Sequence, residues 1–290
     1  MQSIRERVEH IAAIAAGAQG VSQEAESESS KQTYDCHRCK DTGVVVLLLD
    51  LDEEVPIGDR RMWDEQFHQR AHVMKSCGCQ ERKRIEKLFR SSNITENFRK
   101  VGFKGFVIDG RPSCVREARD VALRYFQTFD SIRNTEHNSL TLLGQPGSGK
   151  THLLMAVCNG LMRKGIPVQY FPWVEGFGDL KNHLDDLEER IDTMKRVDVL
   201  FIDDLFKGRR HPTDFQLEQL FNVVNFRYLN CLPMLVSSER DIDAICAIDE
   251  GMGRRIWERS YGHRVIMGLS PEERDAGMEL NFSLCQPEKS

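Results

Sequence analysis

The sequence predicts an α/β domain built on a five-stranded parallel sheet, preceded by a small module that carries paired cysteines. Three observations predict this. From about residue 105 onward, short apolar runs alternate with helical patterns, as expected of strands covered by helices on both faces. One of these runs is followed at once by Gly144-Gln145-Pro146-Gly147-Ser148-Gly149-Lys150-Thr151, a glycine-framed loop opening onto a helix. Upstream, Cys36 and Cys39 form one close pair and Cys77 and Cys79 another.

The strands are expected at Leu140–Leu143, Val168–Phe171, Val199–Ile202, Met234–Val236 and Arg264–Met267. Helical patterns occupy residues 113–132, 150–164, 179–195, 213–229 and 250–259. Residues 105–290 form the α/β domain and residues 34–80 the cysteine module. Residues 81–104 read as a basic helix and connector. In residues 1–33, Ile4, Val8, Ile11 and Ala15 fall on one helical face, followed by a small, polar linker over residues 19–33.

The 290-residue chain is 40% apolar, enough for a sizeable core, and its formal net charge of -5 excludes a general cationic coat. No apolar run approaches the roughly 18 residues of a membrane span. Glu6 and Glu9 interrupt the start that a secretory signal would need, so a cytoplasmic protein is expected.

The run Gly144–Thr151 has the composition of a phosphate cradle. Glycines let backbone N–H groups converge on a β-phosphate, and the helix N-terminus adds its dipole. Lys150 supplies positive charge to the β- and γ-phosphates, the Thr151 hydroxyl enters a Mg²⁺ shell, and His152 follows directly. The stretch Val199–Gly208 then sets two acids, Asp203 and Asp204, at the end of a buried strand. Adjacent carboxylates repel each other, so the arrangement calls for a cation. Asp203 is expected to hold Mg²⁺, and Asp204 to polarise an attacking water. Near the end of the next strand, Ser237, Ser238 or Glu239 could sense a γ-phosphate or orient water. In the stretch Gly251–Ser260, Arg254 and Arg255 open a helix, and an arginine here could reach a neighbouring subunit's nucleotide.

Four thiolates at Cys36, Cys39, Cys77 and Cys79 can enclose a structural Zn²⁺. The segment after the first pair and the segment before the second can join as a β-hairpin that brings the pairs together. Two further stretches bear on nucleic acid. Arg82, Lys83, Arg84, Lys87, Arg90, Arg99, Lys100 and Lys104 could meet phosphates, or form a solvated helix face with their interleaved glutamates. Tyr170, Phe171, Trp173 and Phe177, with Lys181, could stack on unpaired bases or belong to the core. Phe103 and Phe106 are either core or base-contacting.

Taken together, Gly144–Thr151, the segment Phe201–Gly208, the Ser-Ser-Glu strand end and the Gly-Arg-Arg-Ile helix start resemble the DnaC/DnaI-type helicase loaders. These are AAA+ ATPases of the initiator clade, and the cysteine module resembles that of the DnaI and phage branch. The resemblance implies ATP, Mg²⁺ and Zn²⁺ as cofactors. It implies a hexameric replicative DNA helicase gripped by the zinc module in a primosome, contact with single-stranded DNA, and self-association through ATP sites. On this resemblance Lys150 and Thr151 bind phosphate and metal, Asp203 binds Mg²⁺, Asp204 is catalytic, Ser238 or Glu239 is the sensor and Arg255 the arginine finger. The alternative is an IstB-like transposition ATPase that partners a transposase. A small-molecule kinase fits the paired acids less well, and an adaptor that binds ATP without turnover is a further alternative, favoured if Asp204→Asn left phosphate release unchanged.

Overall fold

The computed structural model describes residues 34–48, 53–57, 72–208 and 211–281. The expected N-terminal helix and linker, and Cys285, lie outside the described residues. The chain divides into two compact units, Met1–Cys77 and Gly78–Ser290.

In the first unit, β1 (Val44–Leu48) is the centre of an antiparallel sheet, flanked by β2 (Glu53–Pro56) and β3 (His72–Ser76). β1 and β3 are the two arms expected from the sequence, and their pairing sets Val44 opposite Ser76. Along β1, Val46 and Leu48 point the same way and pack with Val55 and Ile57, the period-2 alternation of a half-buried strand.

The second unit holds a parallel sheet of β4 (Leu140–Gly144), β5 (Val168–Pro172), β6 (Val199–Asp203), β7 (Met234–Ser238) and β8 (Arg264–Met267), ordered β5-β6-β7-β4-β8. All five strands stand where the sequence placed them. The order matters for function. It inserts β7 between β4, which leads into the glycine loop, and β6, which ends on the paired acids. Residues β4 and β6 bear at their C-terminal ends therefore face each other across the end of β7, the usual location of ligands in open parallel sheets.

Helices cover both faces, as the nearly uninterrupted burial of β4, β6 and β7 requires. On one face, helix Ser113–Ile132 buries Val115, Ala118, Val121, Ala122, Tyr125 and Phe129, a 3.6-residue stripe that packs against helix Lys150–Arg163. On the other, helices Trp173–Asn182, Leu187–Arg196, Asp214–Leu229 and Glu250–Arg259 enclose a second cluster around Leu200, Ile202 and Val236.

The single helix expected over residues 179–195 is two. Helix Trp173–Asn182 ends at His183, whose φ of -133° and ψ of 62° are not helical. A short 3-10 turn, Leu184–Asp186, leads into helix Leu187–Arg196, with Asp186 at its N-cap. Asp185 and Asp186 are poor helix-interior residues, consistent with a break here, although Asp186 makes no side-chain capping hydrogen bond.

Arg227 fastens this second face. It is fully buried, and its two terminal nitrogens donate to the carbonyls of Met194, Lys195, Val197, Asp198 and Pro233 at 2.7–3.2 Å. It thereby joins the end of helix Leu187–Arg196 to the entries of β6 and β7. Burial pushes its pKa down to about 9, so the fold carries a desolvated cation balanced by carbonyl dipoles. Arg227→Met leaves those carbonyls without this donor and should destabilise the protein by about 3 kcal/mol. Urea unfolding should show a lower midpoint with an unchanged slope.

Candidate functional site

The glycine loop closes around its own lysine. Lys150 Nζ donates to the carbonyls of Gly144 at 2.7 Å and Gln145 at 2.9 Å, with Ser148 Oγ at 3.5 Å. Gly144, Gly147 and Gly149 all have positive φ, at 140°, 76° and 101°. A Cβ on Gly144 would strike Met267, one on Gly147 Asn281, and one on Gly149 Phe106. Only glycine fits both the dihedrals and the space at these three places. Burial lowers the pKa of Lys150, since desolvation disfavours its charge, while Asp204, Glu239 and Asp203 pull it back up.

A cleft of about 300 Å³ opens over this loop. Its walls include Pro146, Gly147, Gly149, Lys150, Thr151 and His152 from the loop and helix, Asp204, Lys207 and Glu239 from the strand ends, and Phe106, Val107 and Arg111 from the connector. Phe106 packs on the His152 ring at 5.2 Å, and the Arg111 guanidinium lies over the other ring at 5.7 Å. Arg111 also donates to the carbonyls of Ser148 and Leu280, tying the loop to the C-terminal end of the domain. Phe106 is thus both a core and a cleft residue.

Asp203 lies at the end of β6, only 4% exposed, and gathers three hydroxyls. Thr151 Oγ1 donates to its Oδ1 at 2.9 Å, Ser237 Oγ to the same oxygen at 2.5 Å, and Tyr170 OH to Oδ2 at 3.0 Å. Burial raises the pKa of Asp203, the Ser237 hydrogen bond opposes that, and Asp204 adds a smaller upward push.

The chain then turns sharply around Ser237. Asp204 N donates to Ser237 Oγ at 2.8 Å and Leu205 N to Ser237 O at 2.8 Å. Asp204 and Phe206 adopt φ of 55° and 61°, a left-handed conformation that non-glycine residues seldom hold. The turn separates the two acids: Asp203 faces Thr151, and Asp204 faces the cleft. Lys207 Nζ bridges Asp204 Oδ2 at 2.8 Å and Glu239 Oε1 at 2.9 Å.

Of the residues expected here, Pro146, Gly147, Gly149, Lys150, Thr151, His152, Asp204 and Glu239 line the cleft, while Gly144, Gln145 and Ser148 hold Lys150 and Asp203 accepts from Thr151. The two serines part here: Ser238 Oγ donates to Leu205 O at 2.7 Å, and the hydroxyl on Asp203 belongs to Ser237. Successive strand residues point to opposite faces, so one of the two serines had to turn away. Arg255 does not line its own chain's cleft. It donates to Gly251 O at 2.8 Å and lies over the Phe221 and Tyr228 rings at 5.2 and 5.6 Å. Arg254 is exposed and paired with Glu250 at 3.3 Å.

The aromatic stretch that runs from β5 into the next helix is core. Tyr170, Phe171, Trp173 and Phe177 are all buried, and the last three rings pack edge to face, so they offer no stacking surface to bases. Sequence reasoning missed the link from Tyr170 to Asp203 and the bridging role of Lys207. In the basic connector, Arg99 is structural, donating to the carbonyls of Ile94 and Phe89, and Arg90 pairs with Glu86. Arg82, Lys83 and Lys87 remain on an exposed face.

At the cysteine module, the Sγ atoms of Cys36, Cys39, Cys77 and Cys79 all lie within 4.8 Å of one another, and all four residues are buried. Cys36 Sγ and Cys77 Sγ are 3.8 Å apart, far from the roughly 2.05 Å of a disulfide. Two thiolates bound at about 2.3 Å to a tetrahedral Zn²⁺ stand about 3.8 Å apart, so the spacing fits. Lys40 and Asp41 turn the chain with φ of 48° and 64°, while the Asp41 carboxylate accepts from Cys36 N at 2.9 Å. Hydrogen bonding from the Cys39 backbone, against the smaller effect of burial, pushes the Cys36 thiol down to about 6, toward the thiolate a metal needs.

The sheet order, the glycine cradle and the strand-end acid define an α/β domain of the AAA+ P-loop fold. A family model described as IstB-like ATP binding protein matches residues 114–244. Two Bacillus subtilis (strain 168) proteins match nearly the whole chain. YqaM is 40% identical, over 98% of this chain and 94% of its own length, and XkdC of the phage-like element PBSX is 42% identical, over 90% and 89%. The chain belongs to the family of YqaM and XkdC. A solved structure of DnaI superposes with a TM-score of 0.51 at 20% identity, covering 61% of this chain and 93% of that one, a likeness of fold.

Proposed function

We propose that this protein hydrolyses ATP to load a hexameric replicative DNA helicase onto single-stranded DNA at the start of replication. The observation that carries the enzymatic part is the division of labour at the strand ends. Asp203 is buried and hydroxyl-bound beside Thr151, and Asp204 is turned out into the cleft. In this reading the backbone of Gly144–Gly149 and the Lys150 ammonium hold the β-phosphate. Thr151 and Asp203 would hold Mg²⁺, which when bound neutralises charge on the β- and γ-phosphates. Ser237 fixes the Asp203 carboxylate, Asp204 orients and polarises the attacking water, and Phe106 and Val107 receive the base. Arg255 of one subunit serves the nucleotide of the next, which makes ATP the signal for assembly.

The loader role is supported by the motif resemblance and by the zinc-compatible module, which offers a folded surface for the helicase. The match to an IstB-like model favours a second reading, a transposition ATPase, in which the same site serves a transposase partner. The full-length protein should form a complex with purified replicative helicase in the presence of ATP. Its phosphate release should rise severalfold with single-stranded DNA. Stable capture of a transposase, with no helicase complex under any nucleotide, would replace the first reading by the second.

A further inference from the structure

Lys207 occupies a position that the nucleotide motifs do not account for. The turn after β6 is pinned by Ser237, and Lys207 N donates to Asp204 O at 2.9 Å, which folds the lysine back over the acid. Its ammonium then meets two carboxylates from different strands, Asp204 Oδ2 at 2.8 Å and Glu239 Oε1 at 2.9 Å. All three groups line the cleft that holds Lys150 and Thr151. A lone exposed ion pair would signify little, but one cation between two acids at the mouth of a phosphate cradle is a built arrangement. Among the described residues, Arg111, Lys150 and Lys207 are the lysines and arginines that line this cleft. Lys150 is committed to the loop carbonyls, and Arg111 to Ser148 O and Leu280 O. Lys207 is the cation held by carboxylates on a flexible stem.

We propose that Lys207 recognises the terminal phosphate of a nucleoside triphosphate and, in moving to it, releases Asp204 for the attacking water. The proposal rests on the nucleotide-binding reading above. An ammonium has three donors on a four-carbon stem, so it can exchange a carboxylate for a phosphate oxygen with a small swing. In that reading a diphosphate would end at the cradle served by Lys150, and only a γ-phosphate would extend toward Asp204, Lys207 and Glu239, which line the same cleft. Without Lys207, Asp204 and Glu239 present two bare negative charges to the approaching γ-phosphate. Glu239 then acts as the resting partner of the lysine, which gives its acidic side chain a purpose beside a phosphate site.

The test is a fluorescence titration of the full-length protein with a non-hydrolysable ATP analogue and with ADP, and melting is followed to verify folding. Lys207→Met should lower triphosphate affinity about tenfold and leave ADP within about twofold, since one charge-assisted contact is lost on the terminal phosphate alone. Lys207→Arg should retain most of the discrimination. Adding Glu239→Gln to Lys207→Met should recover triphosphate affinity severalfold by removing one repelling charge. Equal losses for both nucleotides, no loss for either, or a double variant no better than Lys207→Met would overturn the proposal. A wild-type protein that binds neither nucleotide would instead overturn the nucleotide-binding reading beneath it.

Discussion

Replacing Lys150 by alanine is expected to reduce ATP affinity at least about 100-fold, which corresponds to roughly 2.7 kcal/mol of lost binding. The side chain is buried, and its amine is held at the centre of the loop by the Gly144 and Gln145 carbonyls. The contact it makes to phosphate is charge-assisted and desolvated, where such hydrogen bonds are strong. Folding should suffer little. The variant loses two hydrogen bonds to carbonyls but also sheds the burial that already lowers the lysine's pKa. Lys150→Arg should not rescue binding, because a planar guanidinium does not fit an enclosure shaped for a compact ammonium. Nucleotide titration read beside thermal melting checks this. A loss of affinity accompanied by an equal loss of folding would show that the lysine is structural.

The sheet was legible because each of its strands is a short apolar run closed by polar or turn residues. The cradle was legible because three glycines must take positive φ within six residues, a demand few other sequences meet. Asp203 could be read from its place directly after four apolar strand residues. Ser237 could not be separated from Ser238, since both are fully buried and period-2 alternation fixes opposition, not which face looks toward Asp203. The aromatic run from Tyr170 to Phe177 shows the limit of composition. A base-stacking platform and a packed core ask for the same side chains, and only the covering helices decide between them. Lys207 and Tyr170 escaped for a different reason. Their roles arise from a left-handed turn at Asp204 and from the β5–β6 pairing, contacts set by tertiary structure.

If the cysteine module holds zinc, removing it should unfold the three-stranded sheet and leave the α/β domain folded. Among the described residues the aliphatic core of that sheet is Val46, Leu48, Val55 and Ile57, a small cluster for a unit that must order two turns and three strands. Small modules of this kind take their stability from metal, and apparent zinc binding to four-ligand sites contributes about 10–16 kcal/mol near neutral pH. The cysteine pairs are positioned to transmit it. Cys36 and Cys39 enter β1 through the turn at Lys40 and Asp41, and Cys77 N donates to Gly43 O at 2.8 Å where β3 ends against β1. Holding the four thiolates together therefore sets the β1–β3 register, while four protonated thiols would hold nothing. Elemental analysis should find one zinc per chain. Chelation, or Cys39→Ser, should release it and make residues 34–77 sensitive to protease, and the thermal transition of residues 78–290 should persist. Metal-free protein that keeps the sheet protected would assign its stability to packing, and substoichiometric zinc in carefully reduced material would remove the metal from the account.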